Sequence, residues 1–491
     1  MINPTPHADL WLIWPIILPL LGALLSFLVK EQSRLAGLLS ALLITLVSGG
    51  LFREIVTCGE RTYALGGWQP PLGITLRADG PAVLMVLMTA VSGLAISIYA
   101  GGYFQSRISL SGNSHRYLNQ ERFFWPLWLL LWGALNGLFM SADIFNMYVT
   151  LELVALSSVG LTSLSGKPAS QMAAFRYLMV SLLGSLSFLL GVAFLYKTFG
   201  TLELAAIRAD ISLSPPVAMA VALISVGLML KTALFPFHFW LPPAHANALA
   251  PVSAILSGLV IKGSWFVFFR FGQAFLPLIG DHGGRLLAAL GGAAIIWGAF
   301  QACYQQRLKM LVAYSTVAQI GYLFIIFPLL EVGAGYGAAA VFYFAISHSC
   351  AKAAMFLAAG SIFVQLGHDR IQDLAGVRQL LPKTSFALAL GGLSLMGLPP
   401  AGGFIAKYMY LHLAIGQDNW WMVLLIVTGS CLTAVYIYRA VSQVLSPKPV
   451  KRRGPVVVAA SMEWSALALA LFALLLGFLA PQLLAVFEVI G

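Results

Sequence analysis

Charged residues are scarce in this chain: only 9% of its 491 residues are Asp, Glu, Lys or Arg, against about 25% in an ordinary soluble domain. A chain so poor in charge cannot cover itself with a solvated surface. Together with 60% hydrophobic residues, this excludes a soluble globular protein and indicates a polytopic membrane protein. Acidic residues are scarcer still, 17 against 28 lysines and arginines, for a net charge of +11. The basic residues are scattered over short loops, with one cluster at Lys448–Arg453, a pattern that fits loops at a membrane surface and excludes a nucleic-acid partner. Cysteine is nearly absent too. Cys58, Cys303, Cys350 and Cys431 stand far apart, with no CxxC pair and no His/Cys ligand spacing, so no iron–sulfur cluster, zinc or other metal or cofactor is expected. Any redox chemistry would lie in another subunit. Near the N-terminus, Leu10–Val29 lacks a small-residue cleavage site and reads as a retained first helix.

What is present is a succession of apolar runs, each near the roughly 20 residues needed to cross a hydrocarbon core. They fall near 10–29, 33–52, 79–103, 122–140, 143–165, 169–198, 214–235, 249–271, 285–303, 307–327, 335–363, 384–416, 420–445 and 462–487, which predicts about fourteen transmembrane helices in an all-α protein. Loops after odd-numbered spans hold most of the basic residues, among them Arg107, Arg116, Lys167, Arg307, Lys309 and the Lys448–Arg453 cluster. The positive-inside rule then places those loops in the cytoplasm and both termini outside.

One stretch, Gly227–Lys262, sets two lysines, two histidines and four prolines among apolar residues. A charged side chain at mid-bilayer costs at least about 2.5–3.5 kcal/mol on insertion scales, so Lys231 and Lys262 need water or a partner. Pro236, Pro242, Pro243 and Pro251 each remove a backbone donor, and a membrane span tolerates that only where the freed carbonyls face protein or a wet cavity. A broken helix beside a buried lysine signals an ion path. The twelfth span is interrupted likewise at Leu398–Gly403, with Pro399 and Pro400, and Lys407 follows just beyond. Paired breaks at corresponding places in two halves point to inverted repeats, since a repeat of five spans must reverse its orientation. The expected organisation is 1–121 for helices one to three, 122–271 for a first inverted five-helix repeat, 272–445 for a second, and 446–491 for a C-terminal loop and last helix.

Other buried polar residues join these. Glu152 has no cationic neighbour in sequence and needs a partner from another helix, for which Lys231 is the natural choice. His348 and Lys352 stand at i and i+4, on one helix face. Glu152, Lys231, Lys262, His348, Lys352 and Lys407 thus form a sparse line of titratable groups through an apolar protein. His238 and His245 sit by the first break and serve equally well as hydrogen-bonded structural residues or accessory proton carriers. Asp79, Asp143 and Asn146 are expected to cap helix N-termini and face water.

The strings FNMYVTLEL, LKTALFPFHFWLPPAHANALAPVSAILSGLVIK, LVAYSTVAQIGY, SHSCAKAAMFLAAGSI and DLAGVRQLLPKTSFALALGGLSLMGLPPAGGFIAKY resemble the antiporter-like subunits shared by Mrp cation/proton antiporters, respiratory complex I and membrane-bound hydrogenases. Among the branches, FNMYVTLEL and ALNGLFMSADIF are most similar to the D subunit of Mrp antiporters, with the hydrogenase branch close behind. The resemblance implies a fourteen-helix fold of two inverted repeats with outside termini. It implies a glutamate of the fifth span, matching Glu152, paired with a lysine of the broken seventh span, matching Lys231, and a path continued by lysines matching Lys262, Lys352 and Lys407. One departure is RLKMLVAYST at Arg307–Thr316, where many relatives carry an acidic residue and a Lys-Arg pair; it is read as lying in a cytoplasmic loop, where it bears on partner contacts more than on the ion path.

The function expected is proton translocation in the cell inner (plasma) membrane as one of several hydrophobic subunits, exchanging protons for Na+ or another monovalent cation. A proton-pumping subunit of a complex I-like NADH dehydrogenase or an energy-converting hydrogenase is the alternative. A non-conducting scaffold or solute-uptake coupling subunit is a third reading, against which stands the set of lysines in apolar spans.

Overall fold

Backbone groups in hydrocarbon must find their hydrogen bonds within the segment, so long apolar runs with few breakers fold as helices. The computed structural model describes residues 8–110, 114–275, 278, 280–330, 335–448 and 458–490, and of the Lys448–Arg453 cluster all but Lys448 lies outside the described residues. In order, the chain forms α1 (Ala8–Leu28), α2 (Ser33–Cys58), the strands β1 (Arg61–Ala64) and β2 (Thr75–Ala78), α3 (Gly80–Leu110), α4 (Ser114–Phe139), α5 (Ile144–Ser163), α6 (Pro168–Phe199) and a short α7 (Leu204–Ala209). There follow α8 (Pro215–Thr232), α9 (Leu241–Asn247), α10 (Ala250–Ile255), α11 (Ile261–Phe275), α12 (Gly280–Tyr304), α13 (Leu308–Ile325) and α14 (Tyr336–Leu366). The chain ends with α15 (Val377–Leu380), α16 (Pro382–Met396), α17 (Gly402–Gly416), α18 (Trp420–Leu445), α19 (Ala460–Leu475) and α20 (Ala480–Ile490).

Among the described residues, eleven helical segments are long and apolar enough to cross a membrane. With α4, the broken pair α16–α17 and the shorter α19 counted as well, the helices match the fourteen spans expected. Boundaries moved where polar residues have partners. Helix α4 begins at Ser114 rather than near 122, and in its extra turns Glu121 accepts both Nε (2.7 Å) and Nη2 (3.1 Å) of Arg34 from α2. The β1–β2 hairpin, antiparallel with Arg61 opposite Ala78, went unseen in the sequence because its strands are only four residues long; the alternation of Thr75–Ala78 is too short to stand out.

Helix α14 lies at the centre, packed against α3, α10, α13, α16, α17 and α19. The two halves of the bundle repeat one set of neighbours. Helix α4 packs on α5 as α12 does on α13, α5 on α6 as α13 on α14, α6 on the broken α8–α9 as α14 on the broken α16–α17, and α11 on α4 and α8 as α18 on α12 and α16. Helices α6 and α8 cross closely because both carry glycine there: a Cβ on Gly227 would meet the Gly184 carbonyl at 2.5 Å.

Asp143 caps α5 as expected, accepting the Asn146 N–H at 2.7 Å. Asp79 caps α3 through the Ala82 N–H at 3.0 Å, but it does not face water. It is buried and paired with Arg270 of α11 and, at 3.5 Å, with Arg77. Burial pushes its carboxyl up; the Arg270 guanidinium, the Ala82 N–H and Arg77 more than offset this and hold it below the usual carboxylate range. A depressed value contributes stability that is present above the unfolded value of about 3.9 and lost as pH falls through the lower folded one. Asp79→Asn leaves Arg270 without its carboxylate and is expected to cost about 3 kcal/mol. Thermal unfolding of the detergent-solubilised protein checks this, and the deficit of the variant should shrink below about pH 4.

Candidate functional site

The seventh span breaks one residue after Thr232, where Ala233 takes a left-handed φ of 57°. The chain then runs through a short 3₁₀ turn, Phe237–Trp240, into α9. Lys231 therefore sits in the last turn of a half-helix, beside carbonyls that no longer have helical partners. The Trp240 indole donates to one of them, Leu230 O, at 3.1 Å, while its ring stacks on Tyr177 at 4.2 Å. Trp240→Phe keeps the stacking and removes the donor. The expected loss is about 1–3 kcal/mol, the cost of an unpaired buried carbonyl, read as a lower melting temperature; an unchanged one would mean that another donor replaces the indole.

Lys231 Nζ meets Glu152 Oε1 of α5 at 2.7 Å, as the lone carboxylate required, and reaches Ser181 Oγ of α6 at 3.2 Å. Ser185 Oγ also donates to that carboxylate oxygen. The pair is asymmetric: the Lys231 side chain is 5% exposed and that of Glu152 20%. The carboxylate thus stands at the edge of the bundle and the ammonium inside it.

The deepest cluster is built on α10–α11 and α14. Between α10 and α11 the helix widens into a π turn, Leu256–Val260, and Lys262 Nζ donates to the carbonyl of Ser257 in it. Ser257 Oγ contacts Thr316 Oγ1 of α13 at 2.9 Å, Thr316 donates to Val312 O at 3.1 Å, and Lys352 Nζ of α14 donates to the same carbonyl. Lys352 also donates to Ser315 Oγ at 2.6 Å. Hydroxyls and carbonyls therefore connect two fully buried lysines. No hydrogen bond among the described residues joins this cluster to Lys231.

His348 lies one turn from Lys352, its ring stacked on Phe344 with centroids 5.8 Å apart. It is within electrostatic reach of Lys262, Lys352 and Lys407. His245 stacks on Phe356 at 4.9 Å and faces Lys352, Lys309 and Lys262 in the same way. Both histidines are buried, and none of their four ring nitrogens has a hydrogen-bond partner among the described residues. Buried polar atoms are seldom left so in a purely structural role.

At the second break the relation of lysine to helix differs. Lys407 lies in α17, after the break, and its Nζ reaches back to the freed carbonyls Leu395 O (2.9 Å) and Met396 O (3.3 Å), to Ser430 Oγ (3.1 Å), and over the Tyr322 ring at 4.7 Å. Gly397 permits this: its φ is 80°, and a Cβ there would meet Lys407 Cδ at 2.8 Å. Lys231 and Lys407 thus occupy corresponding broken helices on opposite sides of the break. Pro236, Pro399 and Pro400 line the breaks and are exposed.

A known family matches this chain over residues 141–433, the stretch that carries both breaks and the whole polar set: the NADH:quinone oxidoreductase/Mrp antiporter transmembrane family. The chain belongs to it. Among curated relatives, the N subunit of NADH-quinone oxidoreductase from Desulforudis audaxviator is 33% identical over 440 residues, covering 87% of this chain and 84% of the relative. The D subunit of the Na(+)/H(+) antiporter from Bacillus subtilis is 27% identical over 443 residues, covering 87% and 85%. Among solved structures, a chain of the Mrp complex from a Dietzia species superposes with a TM-score of 0.88 at 23% identity, over 99% of this chain and 97% of the other, which establishes the shared fold.

For a member of this family the polar set sorts into three groups: Glu152–Lys231, the cluster of Lys262, His348 and Lys352, and Lys407. Of the two accessory histidines, only His245 joins the lysines. His238 is half-buried by the first break, where its Nε2 accepts from Trp297 Nε1 at 3.2 Å. Sequence reasoning missed Lys309. It does not lie in a loop but in the first turn of α13, buried, with Nζ on Ala248 O and its own N–H on Asp369 Oδ2 at 3.2 Å. The signal was present in Leu308 and Met310–Val312 around it, apolar residues that begin a span rather than end a loop.

Proposed function

We propose that this chain conducts protons as one subunit of a multisubunit monovalent-cation/proton antiporter, with Na+ as the exchanged ion. Its place would be the cell inner (plasma) membrane, with both termini outside. The observation that carries the reading is the Lys231–Glu152 pair, 2.7 Å apart at the end of a broken helix, with further buried lysines ahead of it. A proton arriving by water at Lys231 is held while Glu152 is close, because the carboxylate stabilises the ammonium. Withdrawal of Glu152 favours release toward Lys262. From there the Ser257–Thr316–Val312 connection leads to Lys352, and His348, facing three of the lysines, passes the proton toward Lys407 and the second break. One charge crossing 100 mV releases about 2.3 kcal/mol, comparable with the few kcal/mol that shift a buried pair. In this reading 122–271 and 272–445 are the two inverted repeats, flanked by 1–121 and 446–491.

The 33% identity to a NADH-quinone oxidoreductase subunit favours a second reading, in which the same path is driven by electron transfer in other subunits. Everted vesicles carrying the native assembly separate the two. Proton release from the lumen on adding NaCl, without NADH or quinone, is the expected result. Acidification of the lumen that needs NADH and quinone and ignores Na+ would transfer the chain to the redox complex, and no proton movement under either condition would refute conduction.

A further inference from the structure

Near the N-terminal turn of α13 five cationic side chains meet at one cavity. Arg107 of α3, Arg116 of α4, Lys167 ahead of α6, and Arg307 and Lys309 at α13 line a pocket of about 270 Å³, together with Tyr117 and the link between α9 and α10. The five cations come from chain segments that follow the third, fifth and ninth spans or lead into the span after, and the α9–α10 link follows the seventh, so all belong to the face that the charge bias assigns to the cytoplasm. No Asp or Glu is among the lining residues. Among the described residues the carboxylate nearest these cations is Asp369, which pairs with Arg307 at 2.9 Å and accepts the Lys309 backbone N–H at 3.2 Å. Arg116 donates to the Ser165 carbonyl and Lys309 to that of Ala248, contacts that fix the side chains without neutralising them. Arg107 lies over the Tyr117 ring at 4.8 Å, and its buried Nε has no hydrogen-bond partner among the described residues. The Gln120 side-chain amide donates to Ser165 O at 3.3 Å and holds the same wall.

Like charges gathered in a partly dry pocket repel one another, and a bound anion relieves the repulsion of all of them at once. Guanidiniums fork onto two oxygens and ammoniums act as point charges, a combination suited to a tetrahedral oxyanion. At ~30 Å³ per water the cavity holds roughly nine waters, room for a phosphate and its nearest ester atoms but not for a macromolecule. Basic pockets between membrane helices on the cytoplasmic side receive anionic headgroups. We propose that this pocket binds a phosphate group, carried by an anionic lipid or present as free phosphate. Ala246, which lines it, is the chain neighbour of His245 in α9, so under the conduction reading above it is a mouth of the path. There the excess of positive charge that Asp369 leaves uncompensated would repel an entering cation, and the bound phosphate removes that barrier. The binding itself does not depend on conduction, and its test reads binding alone.

The native assembly is reconstituted in phosphatidylcholine nanodiscs with or without phosphatidylglycerol, extracted into detergent, and weighed intact for retained lipid. Retention of phosphatidylglycerol is expected, and Arg116→Gln combined with Lys167→Gln should reduce it about tenfold, the equivalent of one charge-assisted hydrogen bond. Lys167→Arg should keep it. Arg208→Gln, which removes an exposed cation of α7, should leave it unchanged. In the second arm inorganic phosphate is titrated into lipid-stripped protein. A melting temperature raised by phosphate, and lost in the double variant, with no lipid retained, supports the site with free phosphate as its source. The proposal is overturned if neither lipid nor phosphate responds to the double variant, or if Arg208→Gln depletes the lipid equally. Should the double variant fail to assemble, the single Arg107→Gln replaces it under the same criteria.

Discussion

Glu152→Gln and Lys231→Met are each expected to reduce coupled proton movement by a factor on the order of 10² or more, the scale of losing a positioned proton-transfer group, while the assembly still forms. The two carry one function. In Glu152→Gln the amide oxygen and Ser181, at 3.2 Å, still accept from the Lys231 ammonium, but no charge modulates its hold on the proton; without Lys231 the carboxylate has nothing to gate. The double variant should therefore be no worse than the worse single, because groups that act as a unit are not additive. Flux in everted vesicles, normalised to assembled protein, is the measurement. Near-normal exchange by either single variant would remove the pair from the mechanism, and full additivity in the double would deny that the two act together.

The second large effect is expected at His348, where transport and stability should move in opposite directions. His348→Leu replaces a buried ring by an apolar side chain of similar bulk. Its nitrogens have no partner to lose among the described residues, and removing an unsatisfied polar group from an apolar surrounding is neutral or stabilising. The melting temperature of the assembly should stay level or rise. Transport should fall by about tenfold or more, since the group between Lys262, Lys352 and Lys407 can no longer take up a proton. A histidine that only pins the helices would give the reverse, a drop in melting temperature with the surviving protein fully active. His348→Gln separates bulk from proton transfer: it restores polarity without a titratable nitrogen, and transport should stay low.

Much of this protein was decided by the sequence alone, because a membrane makes two rules strict. Hydrocarbon forces apolar runs into helices, so the spans, both breaks and the all-α class could be read from Pro, Gly and run length. It also makes a buried charge so costly that Glu152, Lys231, Lys262, Lys352 and Lys407 stood out one by one, and the need of Glu152 for a cation named Lys231 before any contact was visible. Burial and partner choice beyond that belonged to the tertiary structure. Whether Asp79 faces water depends on Arg270, 191 residues away in the chain. Whether Lys309 is a loop residue depends on a carbonyl of Ala248, and the divergence of His238 from His245 depends on which helices pack against each. The π turn beneath Lys262 has no sequence signal, and within it Gly258 O accepts from Ser349 of α14, 91 residues away. The five-cation pocket was equally invisible. Its members are scattered over separate helix ends and loops, and only the packing of the helices brings charges that repel one another to a single place.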